Sequence, residues 1–247
     1  MDRSLYIAMS GAKQTLLAQT SNANNLANAQ TTGFKSDFEQ FRSMPVFGPG
    51  YPTRVYSMAE RPGSDMAMGP IQTTGNDLDV AIQGEGWFAV GADADGNEAY
   101  TRAGDLKISP EGLLRNSGGA PILGNAGPIT IPPAEKIEIG GDGTISIIPL
   151  GGEETDIAIV DRIKMVKPNL RDLEKHNDGL MHTKTGDILE ADGDVRLLQG
   201  ALEGSNVNTV SALVEMIELA RNFELQTKVM KNADDNSGVS AKLMQMA

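Results

Sequence analysis

His176 and His182 stand six residues apart beside Asp178 and Asp187, a set that could in principle ligate a transition metal. The competing reading is a pair of solvent-exposed loop histidines near Gly179, which needs no third ligand and suits the polar surroundings. Asp93, Asp95 and Asn97 begin like a calcium loop, but the glycine at its sixth position and the glutamate at its twelfth are missing, so DADGN reads as a hairpin turn. Gly84 and Gly86 resemble part of a dinucleotide fingerprint. The β pattern continuing through Val90, however, leaves no helix N-terminus for a pyrophosphate. Glu153 and Asp156 are carboxylates without a spacing specific to glycoside hydrolysis. Neither histidine lies in a nucleophile elbow or triad context, so no enzyme, cofactor or metal site is expected. Trp87 and Phe88 could form a ligand platform, but alternation within VAIQGEGWFAV places one in the core and the other at the surface or a subunit contact.

The elements that would have to position any such groups are turn-rich. Among 247 residues, 40% are hydrophobic but only 4% aromatic, and 28 Gly with 12 Pro favour a β body with many turns over a thick helical core. A net charge of −12 argues against a nucleic-acid partner, which requires clustered Lys and Arg. The absence of cysteine removes disulfides and thiolate metal sites. The N-terminus MDRSLYIAMSGAKQTLLAQ lacks the apolar core and cleavage site of a Sec signal, and no long apolar run follows. Neither a cleaved leader nor membrane insertion is expected.

Two terminal stretches carry helical periodicity. Leu5, Met9, Ala12, Leu16, Gln19, Ala23 and Leu26 fall alternately four and three residues apart, the spacing of a coiled-coil seam. Asn22, Asn24, Asn25 and Asn28 then crowd the end, so the helix should stop near residue 28. Leu213, Met216, Ala220, Phe223, Thr227 and Met230 repeat the alternation in a second amphipathic helix. Ser205, Asn206 or Asn208 would cap its start, while Asp234 to Gly238 should weaken the stripe before a short final turn through Leu243 and Met246.

Between the helices, LDVAIQGEGWFAV, AYTRAGDLKIS, GLLRNSGGAPILG, KIEIGGDGTISII and IAIVDRIKMV read as strands broken by Gly-rich turns. Ser36 to Pro70, with Pro45, Pro49, Pro52, Pro62 and Pro70, suits an extended arm, and the return segment from Asp187 to Leu202 is expected to pair with it. The expected fold is a mainly β central body with N- and C-terminal α-helices pairing as a coiled coil. Residues 1–29 form the first helical segment, 30–71 an extended connector, 72–186 the β-rich domain, 187–207 a return connector and 208–247 the second helical segment. A helix of about 24 residues spans roughly 36 Å and is marginal alone because nucleation is costly. The ends are therefore expected to be disordered in a free monomer and to fold as neighbouring copies cover them.

The run ANNLANAQTTGFK resembles the N-terminal signature of flagellar rod and hook axial proteins through Asn24, Asn25, Leu26, Ala27, Asn28, Thr31, Gly33, Phe34 and Lys35. The tail SNVNTVSALVEMIELARNFELQTKVM resembles the C-terminal segment of that family. LDVAIQGEGWFAV with AYTRAGDLKI resembles its central β region, so nearly the whole chain is covered. The resemblance implies a structural axial subunit that polymerises helically, transmits torque, lines an export channel and uses no cofactor. It also implies export through the flagellar type III apparatus and a position in the basal-body rod spanning the periplasm. The implied partners are copies of itself and other rod proteins, proximal and distal. Leu5, Met9, Ala12, Leu16, Ala23, Leu26, Leu213, Met216, Ala220, Phe223 and Met230 would form the interface seams. The short Pro-rich connector after GFK is similar to the type placed between proximal and distal rod, rather than to distal-rod subunits with a longer insertion. A different class, a secreted β-rich adhesin with a helical oligomerisation stalk, would instead form discrete oligomers.

Overall fold

The computed structural model describes residues 4–47, 51, 54–59, 63–91, 97–151 and 156–245. The chain divides into two compact units: Met1–Ala29, Ser36–Asp65 and Val207–Ala247 make the first, Gln30–Lys35 and Met66–Asn206 the second.

The first unit is built on two helices, α1 (Ser4–Ala27) and α2 (Thr209–Gln245). At the end of α1, the Asn24 carbonyl accepts from both the Asn28 amide at 3.1 Å and the Asn28 side chain at 2.9 Å, fastening the last turn. Asn208 caps α2, its Oδ1 accepting from the amides of Val210 and Ser211, both at 3.1 Å. The helices run antiparallel, because Asn22 of α1 bonds Ala212 near the start of α2 while Thr15 meets Gln226 further along. Beyond Met230 the covered stripe thins to the half-buried Ala233 and Ser237, but in place of a separate final turn α2 continues unbroken through Asp234–Gly238 to Gln245. Gly238 costs about 1 kcal/mol against Ala in a helix interior, too little to break an otherwise continuous ladder. Met246 lies outside the described residues.

The Pro-rich stretch folds on itself: Phe41–Pro45 pairs with Val55–Ala59, and Asp37–Phe38 with Gly63–Ser64. The Ser10 hydroxyl ties α1 to this hairpin through the Ser57 carbonyl at 3.3 Å. Most of the arm is thus occupied by its own hairpin, which satisfies its backbone groups locally. The pairing expected with the return segment forms at the arm's end, where Gly204 N donates to the Pro70 carbonyl at 2.8 Å beside the paired Glu203 and Ile71. Pro49, Pro52 and Pro62 lie outside the described residues.

The second unit is antiparallel β. Its five-stranded sheet runs in the order Met165–Val166, Trp87–Gly91, Glu98–Thr101, Met181–Thr183, Leu173–Lys175. A three-stranded sheet joins Ala134–Ile139, Thr144–Pro149 and Ala158–Arg162. The return segment supplies Arg196–Gln199, paired with Val80–Gln83, and Ala201–Glu203, paired with Ile71–Thr73. Trp87 and Phe88 are both buried, which corrects the expectation that one would be exposed. Their strand is sandwiched: Phe88 and Val90 enter a core with Ile82, Leu114, Ile122 and Ile145, whereas Trp87 and Ala89 enter another with Tyr100, Val166, Leu173 and Met181. Alternation assigns residues to opposite faces, but only packing decides whether both faces are covered.

Candidate functional site

The histidines do not form a metal cage. Their rings stack 4.2 Å apart at 23°, so their nitrogen lone pairs lie in two separate, nearly parallel planes and cannot both be aimed at one ion. His182 Nε2 lies 2.8 Å from Asp178 Oδ2, and Asp187 engages through its main-chain carbonyl, which accepts from the Thr183 hydroxyl. The expected pair of exposed loop histidines is also corrected: His182 is a half-buried member of the strand Met181–Thr183, and only His176 is exposed. Burial acts against the Asp178 carboxylate. Hydrogen bonds from His182 and the Leu180 amide outweigh it and hold the group below the usual range. Among the described residues, no group of three His, Asp or Glu is placed to hold a metal ion. Asp93, Asp95 and Glu153 lie outside the described residues.

The helix pair carries the first candidate surface. In α1, Ala12 is buried and Leu5 and Leu26 are half-covered, but Met9 (56% exposed), Leu16 (47%) and Ala23 lie open beside Tyr6. In α2, Met216, Phe223 and Met230 are half-covered, while Leu213 (48% exposed) and Ala220 are open. The covered stripe keeps one residue of each heptad and takes its second from i+3 rather than i+4: Ala8, Thr15 and Asn22 in α1, and Ala212, Leu219 and Gln226 in α2. Most of these residues are small or polar, and they join the helices directly. Asn22 Nδ2 donates to the Ala212 carbonyl at 2.7 Å, and Gln226 Nε2 to Thr15 Oγ1 at 3.3 Å. A Cβ at Gly11 would sit 2.9 Å from the Gln226 side chain, so this contact favours glycine. A groove of about 620 Å³ beside the pair is lined by Ile7, Phe41, Val55, Leu225 and Val229. Among the described residues, no helix is long and apolar enough to cross a membrane.

The motif Asn24–Lys35 does two local jobs. In the first unit, Asn25 brackets the Asp37 backbone, Nδ2 donating to its carbonyl at 2.6 Å and Oδ1 accepting from its amide at 2.8 Å, as a paired strand would. Leu26 is half-buried and Ala27 exposed. In the second unit, Thr31 accepts from the Phe34 amide to close a turn, and Gly33 takes φ +66°. A Cβ on Gly33 would lie 2.3 Å from the Ala103 nitrogen, so only glycine fits. Lys175 Nζ stands 4.0 Å over the Phe34 ring and donates to the Lys35 carbonyl.

Lys35 itself is buried. Its Nζ lies 2.7 Å from Glu203 Oε1 and donates to the Ala67 carbonyl at 2.8 Å. Glu203 Oε2 meets Arg102 Nη1 at 2.9 Å, and Oε1 also accepts from the Gly69 amide at 3.0 Å. Arg102 Nη2 reaches the Gly84 carbonyl at 2.7 Å, and the guanidinium lies over Trp87. Burial pushes the guanidinium below its ordinary value, and Glu203 opposes that shift. Two cations thus share one carboxylate, the excess charge being met by main-chain carbonyls. Reasoning from sequence passed over Glu203 and Arg102. The available signal was a glutamate on the same strand face as Ala201, both turned inward and almost wholly buried.

Three family models match the chain: "Flagella basal body rod protein" over residues 5–35, "Flagellar hook protein FlgE/F/G D1 domain" over 81–147, and "Flagellar basal body rod FlgEFG protein C-terminal" over 198–243. The flagellar basal-body rod protein FlgF of Escherichia coli is 42% identical over 253 aligned residues, covering 100% of both chains. FlgF of Caulobacter vibrioides is 34% identical, covering 96% of each. FlgG of Bacillus subtilis is 32% identical over 95% of this chain and 96% of its own.

Proposed function

The chain belongs to the flagellar basal-body rod protein family, and from that membership we propose that it builds the rod through its paired terminal helices. It is a structural rod subunit and not an enzyme. The observation that carries the reading is the apolar surface left open on both helices: Met9, Leu16, Leu213, Val214 and Ile217 all stand largely exposed on a single chain. Contiguous apolar surface of this kind marks a face that another protein covers.

In this reading the two helices zip as a coiled coil along the Ala8–Asn22 and Ala212–Gln226 stripes. The Met9–Leu16–Ala23 and Leu213–Ala220 stripes then meet adjacent subunits. The neighbours are further copies of the chain and other rod proteins, proximal and distal. Head-to-tail contacts that do not close on themselves generate a helical tube, which transmits torque and surrounds the export channel. In this reading the subunit is delivered through the flagellar type III apparatus.

We place the subunit at the junction of proximal and distal rod, supported by full-length similarity to FlgF proteins. The likeness to FlgG favours a distal-rod position as the second reading. Imaging basal bodies that carry a labelled version as their only copy separates the two. A label confined to the junction supports the first, a label along the distal rod supports the second, and a label off the rod removes both.

A further inference from the structure

The chain passes between its two units at four peptide bonds, after Ala29, Lys35, Asp65 and Asn206. On the second unit's side these belong to three segments, residues 30–35, 66–70 and 203–206, and all three are tied to one another. The Glu203 carbonyl accepts from the Gly33 amide at 2.8 Å, and its carboxylate holds Lys35 of the first segment and Gly69 of the second. Further bonds run from Gly204 N to the Pro70 carbonyl and from Asn206 N to the Phe34 carbonyl. Arg102 then fastens the same carboxylate to the body.

A buried ionic cluster adds little stability over an apolar set of the same volume. It does add geometry: charge-assisted hydrogen bonds at low dielectric are short, directional and intolerant of sliding. We propose that Glu203 is a positioning residue whose contacts make the three segments one mechanical tie. A load entering along any one of the covalent crossings is then shared by all three and by the strand leading into Arg102. The tie is a property of the free chain, and only the load rests on the reading as a rod subunit.

The test uses purified full-length protein and hydrogen exchange at single amides. In Glu203→Gln the Gly33, Gly69, Gly204 and Asn206 amides should lose protection together, by about tenfold or more, while Ala89 and Leu114 change far less. Lys35→Met/Arg102→Met/Glu203→Met replaces the whole ionic cluster with apolar volume and should show the same joint loss with little change in melting temperature, which covers the case in which Glu203→Gln misfolds. Loss confined to Gly69, or spread evenly into Ala89 and Leu114, overturns the tie. Cells whose only copy is the triple variant should assemble basal bodies and swim in dilute buffer but stall as viscosity rises. Parental swimming at high viscosity overturns the load-sharing role, as does a lack of basal bodies, since the residue would then serve assembly.

Discussion

Asn22 and Ala212 are 190 residues apart in the chain, yet the Asn22 amide group donates to the Ala212 carbonyl at 2.7 Å inside the helix pair. This buried polar contact sets the register of two helices whose amphipathic pattern alone would allow sliding. Replacing Asn22 with Asp turns an acceptor against an acceptor and costs about 1–3 kcal/mol, more than Asn22→Ala. Motility halos in soft agar should shrink in the order parent, Ala, Asp. Equal halos for the two variants would remove Asn22 from any role in register.

The open stripe yields a contrast between monomer and assembly. Met9→Asp and Leu16→Asp should leave the urea midpoint of the free protein within about 0.5 kcal/mol of the parent, since both side chains already face water. The same variants should abolish flagellation in cells. Normal swimming by both would show that no neighbour covers this face.

Helices that depend on neighbours should be weakly held alone. In the free chain, amides of Ser4–Ala27 and Thr209–Gln245 should exchange at least about a hundredfold faster than those of Val90 and Leu114. Comparable protection in helices and body would mean that the intrachain pair is self-sufficient.

Gly33 is the least replaceable residue of the motif. Its φ is +66°, and an added Cβ would approach the Ala103 nitrogen to 2.3 Å. Gly33→Ala is therefore costly on both counts, by about 1–3 kcal/mol from backbone strain alone. Trp87 fluorescence reports unfolding of the same unit, and an unchanged urea midpoint would contradict the geometry.

Asp178 offers a pH test. Its folded-state carboxyl sits below the ordinary range, so its contribution to stability is present above the unfolded value of about 3.9 and is lost as pH falls through the lower, folded one. Carboxyl NMR should place its midpoint below that of a free aspartate, and His182→Phe should move it upward. A midpoint unaffected by the substitution would show that the pair at 2.8 Å does not persist in solution.

Residue order alone determined the plan of this molecule: terminal helices, a Gly-punctuated β body, and a motif whose asparagines, Gly33 and Lys35 announced the family. Of the residues it marked, one in each heptad is buried or half-buried: Leu5, Ala12, Leu26, Met216, Phe223 and Met230. The second position of each heptad was decided by packing. Residues at i+3 and i+4 lie on the same side of a helix, and hydrophobicity favours Met9 and Leu16. Close approach instead selects Ala8, Thr15 and Asn22, whose small or hydrogen-bonding side chains let the backbones meet. Burial of both Trp87 and Phe88, and the union of Lys35 with Glu203 and Arg102, were likewise settled only in three dimensions. Periodicity describes what one segment can offer, whereas a partner at long sequence separation is chosen by the space and charge it finds on folding.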